Sequence, residues 1–212
     1  MGKLSVQYRV LGLLNTNTYF LINQETKEGI VVDPADCADY IMRQFELREY
    51  TMKAIFLTHG HFDHIYAVND LRDAAGVSVY AYADEERLLG DSYFNRSSVW
   101  AEGMTVKPDI LVHDREHLQV AGFDIEVIHT PGHTAGSCCY YFAEDSVLIA
   151  GDTLFYESYG RTDLSTGSQD EMLHSLTEKL FLLPPETEVY PGHGDATTIE
   201  HELEYNPACF MM

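Results

Sequence analysis

The stretch His59-Gly60-His61-Phe62-Asp63-His64 puts three imidazoles and a carboxylate into six residues, after the apolar run Lys53–Leu57 and before a helical pattern. Groups of this kind are costly to crowd together unless a cation or a set of hydrogen bonds compensates them. Three later segments repeat the setting, each a strand-like run that ends in a glycine-bearing turn: Thr130-Pro131-Gly132-His133-Thr134, Gly151-Asp152-Thr153 and Pro191-Gly192-His193-Gly194. Any fold of this chain has to bring these four strand ends together.

The candidate ligands are His59, His61, Asp63, His64, His133, Asp152 and His193. Five histidines and two aspartates exceed what one tetrahedral ion accepts, so two divalent metal ions are implied. A carboxylate can bridge ions about 3.5–4 Å apart, which imidazole cannot. Zinc is the first expectation, and iron or manganese also suits a mixed histidine and carboxylate set.

Hydrophobic periodicity supplies the frame. Short alternating or apolar runs predict strands at Leu4–Val10, Thr18–Asn23, Gly29–Val32, Lys53–Leu57 and Val77–Ala81, then Ile110–His113, His117–Val120, Phe123–His129, Ser137–Phe142, Ser146–Ala150 and Glu188–Tyr190. Helical spacing predicts helices over Asp36–Glu49 with Asp36 as N-cap, after the histidine cluster up to Gly76, near Asp84–Leu89, from Ser168 to before Pro184, and after Thr197-Thr198. Asp91–Asp109, with Tyr93, Phe94 and Trp100, reads as irregular and as a possible lid or pocket wall. Strands followed by helices in each half fit an α+β architecture, an αββα sandwich of two mixed sheets with helices on both outer faces. One domain over 1–212 is expected.

Composition narrows the partners. With 13 lysines and arginines against 34 aspartates and glutamates, the formal charge is −21, which disfavours nucleic acid and anionic membrane. At 45% hydrophobic and 22% charged residues, the chain is expected to be globular and not disordered. Cys37, Cys138, Cys139 and Cys209 show no metal or redox spacing and read as reduced thiols. The opening Met-Gly-Lys-Leu-Ser-Val has no signal-peptide core and no apolar run is long enough to span a bilayer, so a cytoplasmic location is expected.

These motifs, in this order, resemble the metallo-β-lactamase-fold hydrolases, and within them the hydroxyacylglutathione hydrolase (glyoxalase II) group. With 19 residues after His193, the chain resembles the shorter bacterial-type members that lack a C-terminal helical domain. The resemblance implies that His59, His61 and His133 hold one metal, that Asp63, His64 and His193 hold the other, and that Asp152 bridges them. Two close dications bind a shared water and lower its pKa, giving a hydroxide that attacks a carbonyl, most plausibly of a small thioester such as a hydroxyacylglutathione. Asp63 is the candidate for ligand and proton acceptor. Tyr159-Gly160-Arg161-Thr162-Asp163 resembles a family element, with Arg161 either holding a substrate carboxylate or paired internally with Asp163.

Rival readings stay open from sequence. A persulfide dioxygenase of the same fold would hold one iron through His59, His133 and Asp152. A lactonase uses the same carbonyl chemistry, a nuclease would need a basic face, and a non-catalytic metal-storing protein would tolerate loss of a ligand. The remaining histidines, His113, His117, His129, His174 and His201, are expected in structural or solvent roles, with His129 a candidate partner for a metal-bound imidazole.

Overall fold

Each half of the chain builds one six-stranded sheet. In the computed structural model, which describes residues 3–211, the first sheet runs β1 (Leu4–Leu11), β2 (Thr16–Asn23), β3 (Glu28–Val32), β4 (Thr51–Phe56), β5 (Ser78–Tyr82) and β6 (Ile110–Val112), in that spatial order. Met1 and Gly2, which begin the opening read above for a leader, lie outside the described residues. β1, β2 and β3 are antiparallel neighbours, whereas β3 to β6 pair in parallel. Parallel neighbours need crossovers, which are supplied by α1 (Ala38–Leu47) and by α2 (Phe62–Ile65) with α3 (Val68–Ala75). Between β5 and β6 lie α4 (Glu86–Leu89) and α5 (Ser97–Trp100).

The second sheet contains β7 (His117–Val120), β8 (Phe123–His129), β9 (Cys138–Phe142), β10 (Val147–Gly151), β13 (Glu188–Pro191) and β14 (Thr197–Thr198), ordered β14-β13-β10-β9-β8-β7. Its single parallel pair among the described residues, β10 with β13, is joined through α6 (Gln169–Glu178). A small hairpin of β11 (Leu154–Phe155) and β12 (Ser158–Tyr159) follows β10, and α7 (Ile199–Tyr205) closes the chain's regular structure.

Three apolar layers make the sandwich. Tyr19, Leu21, Val32 and Phe56 of the first sheet face Phe123, Ile125, Val127, Tyr140 and Ile149 of the second. On the outer side of the first sheet, Phe20, Ile22 and Ile55 pack against Ile41 and Phe45 of α1 and Val68 and Leu71 of α3. On the outer side of the second, Tyr141, Leu148 and Val189 pack against Met172 and Leu176 of α6 and Ile199 of α7. Covered on both faces, β2 is buried along its whole length, and its polar residues Asn17, Thr18 and Asn23 spend their side chains on hydrogen bonds to neighbouring turns. This is the αββα arrangement expected from the order of elements. Cys138 and Cys139 occupy opposite faces of β9, one in the inner layer and one in the outer, and all four cysteines are free thiols.

Several local expectations need correction. Asp36 does not cap α1; the N-cap position is Cys37, in the left-handed region at φ 59°, and the Asp36 carboxylate instead accepts from the Cys37 amide at 2.6 Å. The helix after the histidine cluster is two pieces, since the chain turns at Tyr66-Ala67 between α2 and α3. The segment read as irregular contains α5, and β11, β12 and β14 are too short to show a period. Ser168 does cap α6, accepting from the Glu171 amide, and Thr198 caps α7. No helix among the described residues is long and apolar enough to cross a membrane.

Two hydrogen bonds tie the sheets together at the end of β4, where the histidine cluster begins. The Tyr140 hydroxyl donates to the Leu57 carbonyl at 2.8 Å, and the Cys138 amide donates to the Thr58 carbonyl at 2.9 Å. Replacing Tyr140 by Phe leaves the buried Leu57 carbonyl without this donor and should cost about 1–3 kcal/mol, a lowering of Tm by several degrees. Scanning calorimetry checks it, and an unchanged Tm would show that the bond carries no net stability.

Candidate metal centre

After β4 the chain leaves the sheet in extended conformation through His59 and His61, and α2 begins at Phe62. His59 and His61 therefore project from a loop, while Asp63 and His64 sit in the first turn of α2. His133 comes from the turn between β8 and β9, Asp152 from the end of β10, and His193 from the end of β13. Glycines allow these turns to approach one another. A Cβ at Gly192 would strike Asp152 Oδ1 and His64 Cε1, and one at Gly160 would strike the Asp152 carbonyl.

The seven residues read from sequence meet in one place. His59, His61 and His133 present ligand atoms within 4.8 Å of one another, and so do Asp63, His64 and His193. Asp152 lies between the two groups. Its Oδ1 is 3.4 Å from His64 Nε2, while Oδ2 is 3.5 Å from His133 Nε2 and 3.6 Å from His193 Nε2.

Hydrogen bonds fix which ring nitrogen faces inward. His133 Nδ1 lies 2.7 Å from the Arg161 carbonyl, which only accepts, so Nδ1 carries the proton and Nε2 keeps its lone pair. His64 Nδ1 lies 2.9 Å from Asp33 Oδ2 and donates for the same reason. Asp33 also accepts from the Thr58 amide at 2.8 Å and from the Thr58 hydroxyl at 2.6 Å. With its proton committed to Asp33, the Thr58 oxygen accepts from His59 Nδ1 at 3.2 Å. One aspartate thus orients His64 directly and His59 through Thr58, and with both oxygens engaged it supports the ligands from behind.

Other supports come from far along the chain. Glu85, wholly buried, accepts from the Gly60 amide with one oxygen and from the Gly136 amide and Thr134 hydroxyl with the other, bracketing the His59–His61 loop to the His133 turn. Burial pushes its carboxyl up to about 7 against those donated bonds. Asn17 and Tyr19 of β2 hold the His193 turn through the Pro191 and Gly194 carbonyls. His129 is not a partner of a ligand ring; it bonds the Ala135 carbonyl and stacks on Tyr82.

The residues present fit a metal. Nε2 of His59 and His64 and Oδ1 of Asp152 are buried without a hydrogen-bond partner, a cost that bound cations would remove. His61 Nδ1 and His133 Nε2 stand 2.8 Å apart, a distance two bare lone pairs do not tolerate without a proton or a cation. Burial, then neighbouring imidazoles, hold His59 and His61 well below the usual histidine range, so both stay neutral; for His61, Arg96 adds to the effect. Burial alone would lower His64 as well, but Asp152, Asp63 and Asp33 outweigh it and lift it to about 10. Burial would raise Asp63, yet His64 and His193 bring it below the usual carboxylate range. Positive charge is what these carboxylates surround, and metal ions meet that demand while leaving His64 neutral.

Beside the cluster opens a cavity of about 480 Å³, with Phe62, Trp100, Leu14 and Phe155 on its apolar walls and Arg96 and Arg161 on its rim. Trp100 and Phe62 lie nearly parallel at 6.4 Å, so part of the segment read as irregular does form pocket wall. Tyr93 is exposed and lies outside this lining. The Arg161 guanidinium is engaged with Asp163 through two bonds of 2.7 and 2.8 Å, both side chains being exposed.

Comparison with known proteins agrees with this geometry. The model of the metallo-beta-lactamase superfamily matches residues 11–193. The chain is 37% identical to the probable metallo-hydrolase YqgX of Bacillus subtilis, covering 93% of each chain. It is 31% identical to the hydroxyacylglutathione hydrolase GloC of Haemophilus influenzae, over 88% of this chain and 90% of that one. The crystal structure of the B3 metallo-beta-lactamase BLEG-1 superposes with a TM-score of 0.91 at 39% identity, covering 96% of this chain and 98% of the other.

Replacing Asp33 by Asn sets an amide donor against either Thr58 or His64. Metal affinity, measured by competition with a chelating dye, should fall about 10–100-fold. An affinity equal to wild type would remove Asp33 from the support of the centre.

Proposed function

The chain belongs to the metallo-beta-lactamase superfamily, and from that membership we propose that it is a binuclear metal-dependent hydrolase of small thioesters or related esters. The observation that carries the proposal is the convergence of unpartnered, buried ring nitrogens and the Asp152 oxygen from two adjoining ligand groups. In it, His59, His61 and His133 hold one divalent ion, Asp63, His64 and His193 hold the second, and Asp152 is shared. Zinc, iron and manganese all suit this donor set. When bound, such a pair supplies Lewis acidity and a nucleophilic oxygen at neutral pH.

The protein's own groups do the rest. Asp63 Oδ2 accepts the Thr16 hydroxyl at 3.1 Å, which leaves Oδ1 to orient the attacking water and hold its proton. Asp33 and the Arg161 carbonyl keep the ligand rings in one tautomer throughout. Phe62 and Trp100 give one side of the cavity an apolar wall, which favours an acyl or thiol stem over a sugar or a nucleotide. The thioester class is supported by likeness to GloC and by aspartate at position 152. The second group, Asp63 with His64 and His193, supplies the ligands a second metal would need, and metal count with oxygen uptake separates this reading from a one-iron oxygenase, which can keep the same residues. With 13 basic residues against 34 acidic ones, the chain suits a small-molecule substrate better than a polyanion.

The test is metal content of anaerobically purified protein together with turnover of S-lactoylglutathione, other thioesters, a lactone, a β-lactam and glutathione persulfide. Thioester hydrolysis, lost on chelation and restored by metal, is the expected result. One iron per chain with oxygen uptake on persulfide overturns the reaction class, and faster turnover of the β-lactam than of any thioester overturns the substrate class. At full metal occupancy, Asp63→Asn should lower kcat by about 100-fold or more; full activity would exclude Asp63 as proton acceptor.

A further inference from the structure

Two arginines line the cavity beside the metal centre, and they differ in what holds them. Arg161 is neutralised by Asp163 in a two-bond ion pair. The Arg96 side chain makes no hydrogen bond, ion pair or stacking contact with a ring among the described residues, although it is half-buried. Of the 13 basic residues, Lys3, Lys53, Arg72 and Arg161 pair with a carboxylate among the described residues, and Arg96 differs from the other unpaired ones in lining the cavity beside the metal centre. Two aspartates, Asp63 and Asp152, line the same cavity, so the charge has not been placed there for want of anions nearby.

The backbone holds Arg96 in place with some strain. Its φ of 71° and ψ of 0° lie in the left-handed region, which an arginine adopts only where neighbours impose it. Those neighbours are Asn95 and Ser97, both wholly buried. The Asn95 carbonyl accepts from the Phe62 amide at 2.8 Å, its side-chain amide donates to the Met104 carbonyl at 2.8 Å, and its side-chain oxygen accepts from the Ser97 amide at 2.9 Å. Ser97 adds two bonds to the Met104 backbone. Arg96 is thus mounted on a hydrogen-bonded frame that is attached to the residue following His61, and its position relative to the centre is set by that frame.

We propose that Arg96 is the anion-recognising residue of this site, binding a carboxylate on the substrate. This rests on the hydrolase reading above and narrows its substrate class to small thioesters with an anionic end and an apolar stem. The planar guanidinium grips a carboxylate through two parallel bonds, and partial burial strengthens them. Phe62 and Trp100, stacked on the same wall, receive the stem. The carboxylate belongs either to the acyl part or to the thiol part.

The experiment compares metal-loaded wild type, Arg96→Met and Arg96→Lys on two matched pairs. S-acetyl-3-mercaptopropionate against its amide places the charge on the thiol part, and S-succinyl- against S-butyryl-N-acetylcysteamine places it on the acyl part. For at least one charged member, Arg96→Met should lower kcat/KM by about 10–100-fold, mainly through KM, with Arg96→Lys intermediate. Neutral members should change less than about twofold and metal content should not change. Which pair responds identifies the charged part. Equal loss on charged and neutral members, or no loss on either charged one, overturns the proposal. If wild type hydrolyses none of the four, the thioester reading still stands or falls on the turnover panel above, and calorimetric binding of succinate to metal-loaded protein decides Arg96. Weaker binding in Arg96→Met supports the anion site, while equal binding, or none by wild type, overturns it.

Discussion

The carboxylate of Asp33 is the contact on which the centre depends. It stands at the end of β3, buried between the two loops it serves, and receives three donors: the Thr58 amide, the Thr58 hydroxyl and His64 Nδ1. A carboxylate with ordered donors fixes both rotamer and tautomer of an imidazole, and it passes the same order to His59 through Thr58. Because β3 pairs with β4 in parallel, Asp33 follows its strand just as Thr58 follows its neighbour, so the sheet register places acceptor and donors side by side.

Electrostatics around this contact run against the usual cost of burial. Asp33, Asp63 and Asp152 surround His64, and together they overcome the burial that would otherwise keep that ring neutral. His59 and His61 remain neutral under burial and the repulsion of neighbouring imidazoles. One end of the cluster therefore calls for positive charge and the other offers bare lone pairs, a polarity that two cations satisfy together. Acidic overall charge and a pocket that would hold two cations are compatible with an anionic substrate for this reason, and the guanidinium of Arg96 lining the pocket adds to the same field.

Much of the centre was legible in the chain. The spacing in His59-Gly60-His61-Phe62-Asp63-His64 and the three glycine turns name all seven clustered residues, since loops at strand ends carry side chains wherever the strands lead. The capping serine at 168 and the strand at Thr18–Asn23 were legible too, being local signals. Asp33, Glu85 and Arg96 were not. Asp33 reads as one turn residue before a proline, Glu85 as part of a short acidic helix, and Arg96 as one charge in an irregular loop. What sets them apart is partners 25 to 51 positions away for Asp33 and Glu85, and for Arg96 the lack of a side-chain partner among the described residues.

Sequence by itself therefore determined which side chains meet at the cluster and which layers they are mounted on, because ligand type, glycine placement and hydrophobic period are properties of short segments. Tertiary structure alone decided how those side chains are oriented and what charge surrounds them. Tautomer, desolvation and pairing depend on groups brought together by sheet register and loop packing, and no short segment encodes which distant acceptor its donors will meet. The two arginines of the cavity illustrate it: Arg161 stands beside a family-like motif yet is neutralised by its neighbour Asp163, whereas Arg96, without any motif, is left with its charge unanswered by the distant frame that holds it.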